Sequence, residues 1–227
     1  MATPDRAVLL LSGGMDSTTL LWWMRDAGVS TIHTVAVDYG QRHRVELASS
    51  QKLSALAGAE AHKVITLDLT QIGGSPLTNP DMRVPSADDD KQIDTVVPYR
   101  NTLFTTAAAA YAETQGIADI FISPVKDDHA AYRDCRREFY DALETSLSLG
   151  ATEYTRITIH TPFVSRTKRQ VIAEGIRLAV PYEHTHTCYE GVQPACGRCD
   201  ACHERIEAFK ANGLTDPIAY AVDVEWE

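Results

Sequence analysis

No stretch of this 227-residue chain stays apolar for long. The first apolar run, Ala7 to Leu11, falls far short of the roughly 20 residues that span a bilayer. Two glycines follow it closely, so it does not resemble the core of a secretion signal either. The expectation is a cytoplasmic protein with no membrane partner. Basic residues are in short supply. The chain has 21 Lys and Arg against 31 Asp and Glu, a net charge of -10. That balance disfavours nonspecific or stable binding to nucleic-acid phosphates. Low-complexity tracts and repeats of solenoid period are absent. Cysteine is nearly missing from the first 187 residues, where Cys135 stands alone. The other four cysteines crowd between 188 and 202. In a reducing compartment such a cluster points to metal rather than disulfides.

Hydrophobic residues make up 44% of the chain, enough for one packed domain with a small appendage. Short apolar segments alternate with amphipathic ones. Ala7–Ser12, Ile32–Tyr39, His62–Leu69, Asp119–Ser123 and Ile157–His160 are predicted strands. Ser17–Ala27, Arg44–Ala57, a segment from Tyr99 or Asn101 to Gln115, Arg136–Leu149 and Thr167–Ala179 are predicted helices. Strands alternating with helices imply an α/β fold, a Rossmann-like parallel sheet with helices on both faces. Residues 1–180 form that expected nucleotide-binding domain. Residues 181–227 form an expected C-terminal zinc module with a helix. The stretch 70–98, with its prolines and the acidic run Asp88-Asp89-Asp90, is too long for an ordinary connection and reads as a lid or a surface loop.

The first strand runs into Leu11-Ser12-Gly13-Gly14-Met15-Asp16-Ser17-Thr18, and a helix follows. Glycines let several N–H groups converge on one concavity, and the helix adds its positive dipole end. Ser12, Ser17 and Thr18 offer hydroxyls. This is a polyphosphate cradle, but not a Walker A loop, because Asp16 stands where that loop has lysine. A carboxylate beside phosphates suits Mg²⁺. The string resembles the PP-loop of the N-type ATP pyrophosphatases. That resemblance implies ATP as substrate, with AMP transferred to a substrate oxygen as pyrophosphate leaves. Asp38 ends the second strand, at the sheet edge where adenosine would lie.

Cys188, Cys196, Cys199 and Cys202 are spaced C-x7-C-x2-C-x2-C. Four thiolates close a tetrahedral Zn²⁺ shell and leave no open position, so the expected zinc is structural, one per chain. Gly197 eases the turn. Arg198 and Arg205 stand near enough in sequence to offset its charge.

Other segments agree with a narrower group: Asp38-Tyr39-Gly40-Gln41-Arg42-His43, Val97-Pro98-Tyr99-Arg100-Asn101, Asp134-Cys135-Arg136, Thr161-Pro162, Lys168 and Thr187-Cys188-Tyr189. With the PP-loop and the cysteine spacing they resemble the QueC family of queuosine precursor biosynthesis, from about Ala7 to Pro217. The resemblance implies a ligase that turns 7-carboxy-7-deazaguanine and ammonia into the 7-cyano compound at the expense of ATP, acting as a homodimer. It also implies roles. Asp16 and the loop would hold pyrophosphate and Mg²⁺, Lys168 and Arg100 would neutralise phosphate or adenylate charge, and Asn101, Tyr132, Asp134 and Arg136 would line the deazaguanine pocket.

The chain departs from the family at Asp128-His129-Ala130-Ala131-Tyr132-Arg133-Asp134-Cys135. There the family reads Asp, Tyr or Phe, Ser, Gly, Tyr, Pro, Asp, Cys. An alternative consistent with that departure is a relative that stops at the amide or joins the activated carboxylate to another amine, such as a protein N-terminus. A tRNA-modifying PP-loop enzyme would need a basic surface and a reactive cysteine pair, which the composition does not offer.

Overall fold

The computed structural model describes residues 3–89, 95–152 and 156–226. Five strands form one sheet: β1 (Arg6–Leu10), β2 (Thr31–Asp38), β3 (Ala61–Thr66), β4 (Asp119–Phe121) and β5 (Thr158–His160). All pairs are parallel and the order is β3-β2-β1-β4-β5. Among the described residues, six α-helices accompany them: α1 (Met15–Asp26), α2 (Val45–Leu56), α3 (Arg100–Thr114), α4 (Arg137–Gly150), α5 (Lys168–Arg177) and α6 (Asp200–Lys210).

Alternation along β1 sends Ala7 and Leu9 to one face and Val8 to the other. Ala7 and Leu9 pack with Leu20, Leu21 and Met24 of α1 and Val171 of α5. Val8 packs with Ala108 and Ala112 of α3 and Tyr140 of α4. The alanines let α3 lie close to the sheet. Both faces are thus covered, as a parallel sheet requires.

The chain winds from β1 outward to β3, then returns to β4 on the other side of β1. A crevice opens outside the carboxyl ends of β1 and β4, where the winding reverses. α1 begins there at Met15, with Gly14 as its N-cap and no side chain capping it. Its first-turn N–H groups are therefore left for a ligand.

Residues after 180 return to this end of the sheet. Met15, Ile172, Tyr182 and Phe209 form a cluster that ties α6 to α1 and α5. Within the 70–98 stretch, the described part is strapped down. Arg42 Nη2 donates to the carbonyls of Pro80 and Met82, each at 2.8 Å. Ser86 bridges Cys199, and Ala87 N donates to Arg198 O at 2.9 Å. Residues 90–94, including Asp90 of the acidic run, lie outside the described residues.

Candidate active site and cysteine knuckle

The crevice is a cavity of about 300 Å³, ample for a small-molecule ligand. Leu11, Ser12, Gly14, Met15, Asp16 and Ser17 line one side, and Arg100, Asn101, Tyr132 and Lys168 complete the ring. Residues from β1, α1, α3, α5 and the 124–132 loop therefore meet at one cavity.

The loop is shaped mostly by its own backbone. Gly13 has φ +87, and a Cβ there would meet Glu46 O at 2.6 Å and Ser50 N at 2.8 Å. No other residue fits that approach to α2. Gly13 therefore shapes the cradle from behind and does not line it. Thr18 does not line it either, because its hydroxyl donates to Gly14 O at 2.7 Å inside the helix. Ser12 Oγ and Ser17 Oγ lie 3.0 Å apart at the mouth.

Lys168 Nζ reaches Asp128 Oδ1 at 2.9 Å, Asp16 Oδ2 at 3.4 Å and Glu204 Oε2 at 3.5 Å. Burial opposes its charge, yet these three carboxylates hold its pKa well above the ordinary lysine value. For Asp16 burial is the larger influence and raises its pKa, against the lowering effect of Lys168. Its other oxygen, Oδ1, is buried with no hydrogen-bond partner. An orphaned carboxylate oxygen beside a phosphate cradle fits a divalent cation. Arg100 lies 5.9 Å over the Tyr132 ring, and the Tyr132 hydroxyl pairs with Thr95 at 2.8 Å.

Asp38, Asp134 and Arg136 do not line the cavity. Asp38 turns back to pair with Arg44 at 2.5 Å. Asp134 presents its backbone carbonyl to Asn101 Nδ2 at 3.4 Å. Arg136 is exposed and donates to His129 O at 3.1 Å, closing the loop from outside. All three shape neighbours of the site instead of its wall.

The sulfurs of Cys188, Cys196, Cys199 and Cys202 all lie within 4.8 Å of one another. A zinc–sulfur bond of about 2.3 Å puts tetrahedral sulfurs about 3.8 Å apart. Cys196 Sγ and Cys202 Sγ are 3.9 Å apart. The set therefore fits a four-coordinate metal. Backbone N–H groups of Cys196, Arg198 and Cys199 point at its sulfurs, at 3.3, 3.5 and 3.4 Å, and favour thiolates. Gly197 makes the turn at φ +72, where a Cβ would strike Val222. Arg205 does not serve the cysteines, as its position in sequence suggested. It is fully buried and gives Nε and Nη2 to Asp216 at 2.6 and 2.8 Å. Cys199 is the N-cap of α6, and the first turn of α6 brings Asp200, Ala201 and Glu204 to the cavity. Knuckle and cavity share that wall.

The family model for "Queuosine biosynthesis protein QueC" matches residues 6–213. The chain belongs to the QueC family. Its relatives include a 7-cyano-7-deazaguanine synthase of Clostridium kluyveri, 43% identical over 95% of this chain and 97% of that protein. Another of the same name, from Thermoplasma acidophilum, is 42% identical over 95% of this chain and 92% of that protein. Among solved structures, an NMN synthetase of Francisella tularensis shares the fold, with TM-score 0.52 and 13% identity over 93% of this chain and 79% of that one. Among the described residues, no helix is long and apolar enough to cross a membrane.

In this QueC chain the departing segment splits. Ala131 and Tyr132 line the cavity, while Arg133 faces solvent. Cys135 also borders the cavity. Burial, with Asp128 and Asp134 nearby, pushes its thiol up to about 12, so it is not a ready thiolate. Sequence inspection missed Glu46, His43, Thr105, Asp200 and Glu204, all of which line the cavity. For the last two there was a signal. A helix starting on a metal ligand must aim its first turn wherever the metal site packs.

Proposed function

We propose that the protein is a 7-cyano-7-deazaguanine synthase, an ATP-dependent ligase that makes the nitrile from 7-carboxy-7-deazaguanine and ammonia. The observation that carries this is the meeting of the phosphate loop with Lys168 and Arg100 in one cavity, in a chain of the QueC family. A carboxylate oxygen attacks the α-phosphorus of ATP and pyrophosphate leaves. Ammonia displaces AMP to give the amide and a proton. The amide oxygen attacks the α-phosphorus of a second ATP, a second pyrophosphate leaves, and loss of AMP with the two nitrogen protons leaves the nitrile.

The protein's share of this is positioning and charge. The N–H groups of the Ser12–Ser17 loop and α1 hold the departing pyrophosphate. Lys168, kept charged by its three carboxylates, faces the reacting phosphate once substrate loosens one of those pairs. Arg100 meets the carboxylate or adenylate, with Asn101 and Tyr132 beside it. Mg²⁺ held by Asp16 would shield the phosphate charges. Zinc held by Cys188, Cys196, Cys199 and Cys202 would fix the turn from which α6 departs. Free ammonia serves as the nucleophile, and the protein works as a homodimer in the cytoplasm, without nucleic acid.

The test mixes metal-replete protein, Mg-ATP, ammonium and 7-carboxy-7-deazaguanine, and identifies the products by mass. Nitrile with AMP and pyrophosphate is expected. ADP as product, or no turnover, overturns the proposal.

A further inference from the structure

The wall of the cavity between α2 and α3 holds polar groups that the chemistry above leaves unused. Thr105, on α3, lines the cavity and is 0% exposed, and its Oγ1 has no hydrogen-bond partner. A helical threonine ordinarily bonds a carbonyl one turn back, and Thr106 does so with Thr102 at 2.7 Å. Thr105 does not. His43 also lines the cavity at 5% exposure, and its Nδ1 is likewise unpartnered. Between them Glu46 enters from the first turn of α2. It accepts from Gln41 Nε2 at 3.0 Å and lies 3.7 Å from His43 Nε2, and the charge of Arg100 also acts on it. Burial holds that histidine neutral, with a pKa of about 3. With no Lys or Arg in ion-pairing contact among the described residues, Glu46 keeps acceptor capacity for a ligand in either protonation state.

The surroundings of these groups are aromatic. Tyr39 lies 5.0 Å from Phe104 and 6.3 Å from His43, and His43 lies 5.7 Å from Tyr189. A planar ligand finds faces to stack on and, at their rim, a carboxyl, a hydroxyl and an imidazole. We infer that Glu46, Thr105 and His43 form a subsite for the amino-bearing edge of a fused nitrogen heterocycle, with Glu46 and Thr105 accepting from its N–H groups. This rests on the proposed function, which offers two such rings: the adenine of ATP and the deazaguanine of the acid. A buried hydrogen-bond set of this kind discriminates strongly against rings that lack the donors.

The test uses Thr105→Val and Glu46→Gln in the full chain, after wild-type turnover has been established; a wild type without turnover fails the proposed function and leaves the subsite to the binding titrations. Melting temperature, KM for each substrate, and calorimetric binding of the acid and of a non-hydrolysable ATP analogue are measured. Thr105→Val should keep or raise the melting temperature, since it removes a hydroxyl that lacks a partner. It should raise KM and weaken binding about tenfold for one ring, the size of one good hydrogen bond. Glu46→Gln should shift the same substrate. A shift confined to the acid assigns the subsite to deazaguanine, and a shift confined to the ATP analogue assigns it to adenine; either supports the inference. Folded variants that leave both affinities within twofold of wild type overturn it, as does a loss confined to kcat.

Discussion

The phosphate loop and the cysteine knuckle both turn on a glycine at positive φ, yet they are opposite kinds of site. The loop at Ser12–Ser17 is made by backbone, with the Ser12 and Gly14 N–H groups held by the Ser17 and Ser12 hydroxyls and its shape fixed by close contact of Gly13 with α2. It exists before any ligand arrives. The knuckle is made by side chains, four sulfurs facing inward with no opening left. A metal bound there would hold its turn in place. One site spends its polar groups on a passing ligand, the other on a resident one.

Removing the metal should separate the two most sharply. Chelation is expected to lower the melting temperature by more than any single substitution elsewhere, because structural metal affinity is folding free energy. Calorimetry with and without a strong chelator measures it. An unchanged melting temperature would erase the contrast. Next in size, Asp16→Ala should cut kcat about a thousandfold, roughly 4 kcal/mol of barrier. The melting temperature should hardly move, since Lys168 keeps Asp128 and Glu204. Stopped-flow release of pyrophosphate checks the first part and calorimetry the second.

Arg205→Met strips Asp216 of its bidentate partner in a fully buried pair. The expected loss is about 3–5 kcal/mol of stability, read from urea unfolding. The last prediction concerns Glu46 and the pH dependence of stability. Burial lifts its pKa from 4.5 to about 8, opposed by Gln41 and Arg100. Below pH 4.5 both folded and unfolded states hold the proton. As pH rises from 4.5 to about 8 the unfolded chain releases it first, so stability falls across that window. Glu46→Gln should remove that slope, and with it the fall in stability between the two ends. Unfolding midpoints at pH 5 and pH 8 give the difference directly.

Much of the architecture was legible because strong local rules governed it. The apolar run at Ala7–Leu11 ending in two glycines, and the alanine-rich segment before Gln115, admit few other placements. The fit of the cysteines followed from spacing alone. The wall of the cavity was less legible. Asp38, Asp134 and Arg136 stand beside matching motifs, but Asp38 is claimed by Arg44, and Arg136 by a loop carbonyl. Which way a side chain turns depends on such local partners, and sequence order does not encode them. Thr105 sits unremarked in a helix of alanines and threonines. Only the missing hydrogen bond sets it apart from Thr106.

The N-cap role of Cys199 has a thermodynamic consequence. The residue that would ligate a metal also starts the helix that carries Asp200 and Glu204 to the cavity. Metal occupancy and cavity occupancy are then linked equilibria, and linkage runs both ways. By whatever factor the metal tightens substrate, bound substrate must tighten the metal. An idle enzyme would surrender its metal to a competitor more readily than a working one.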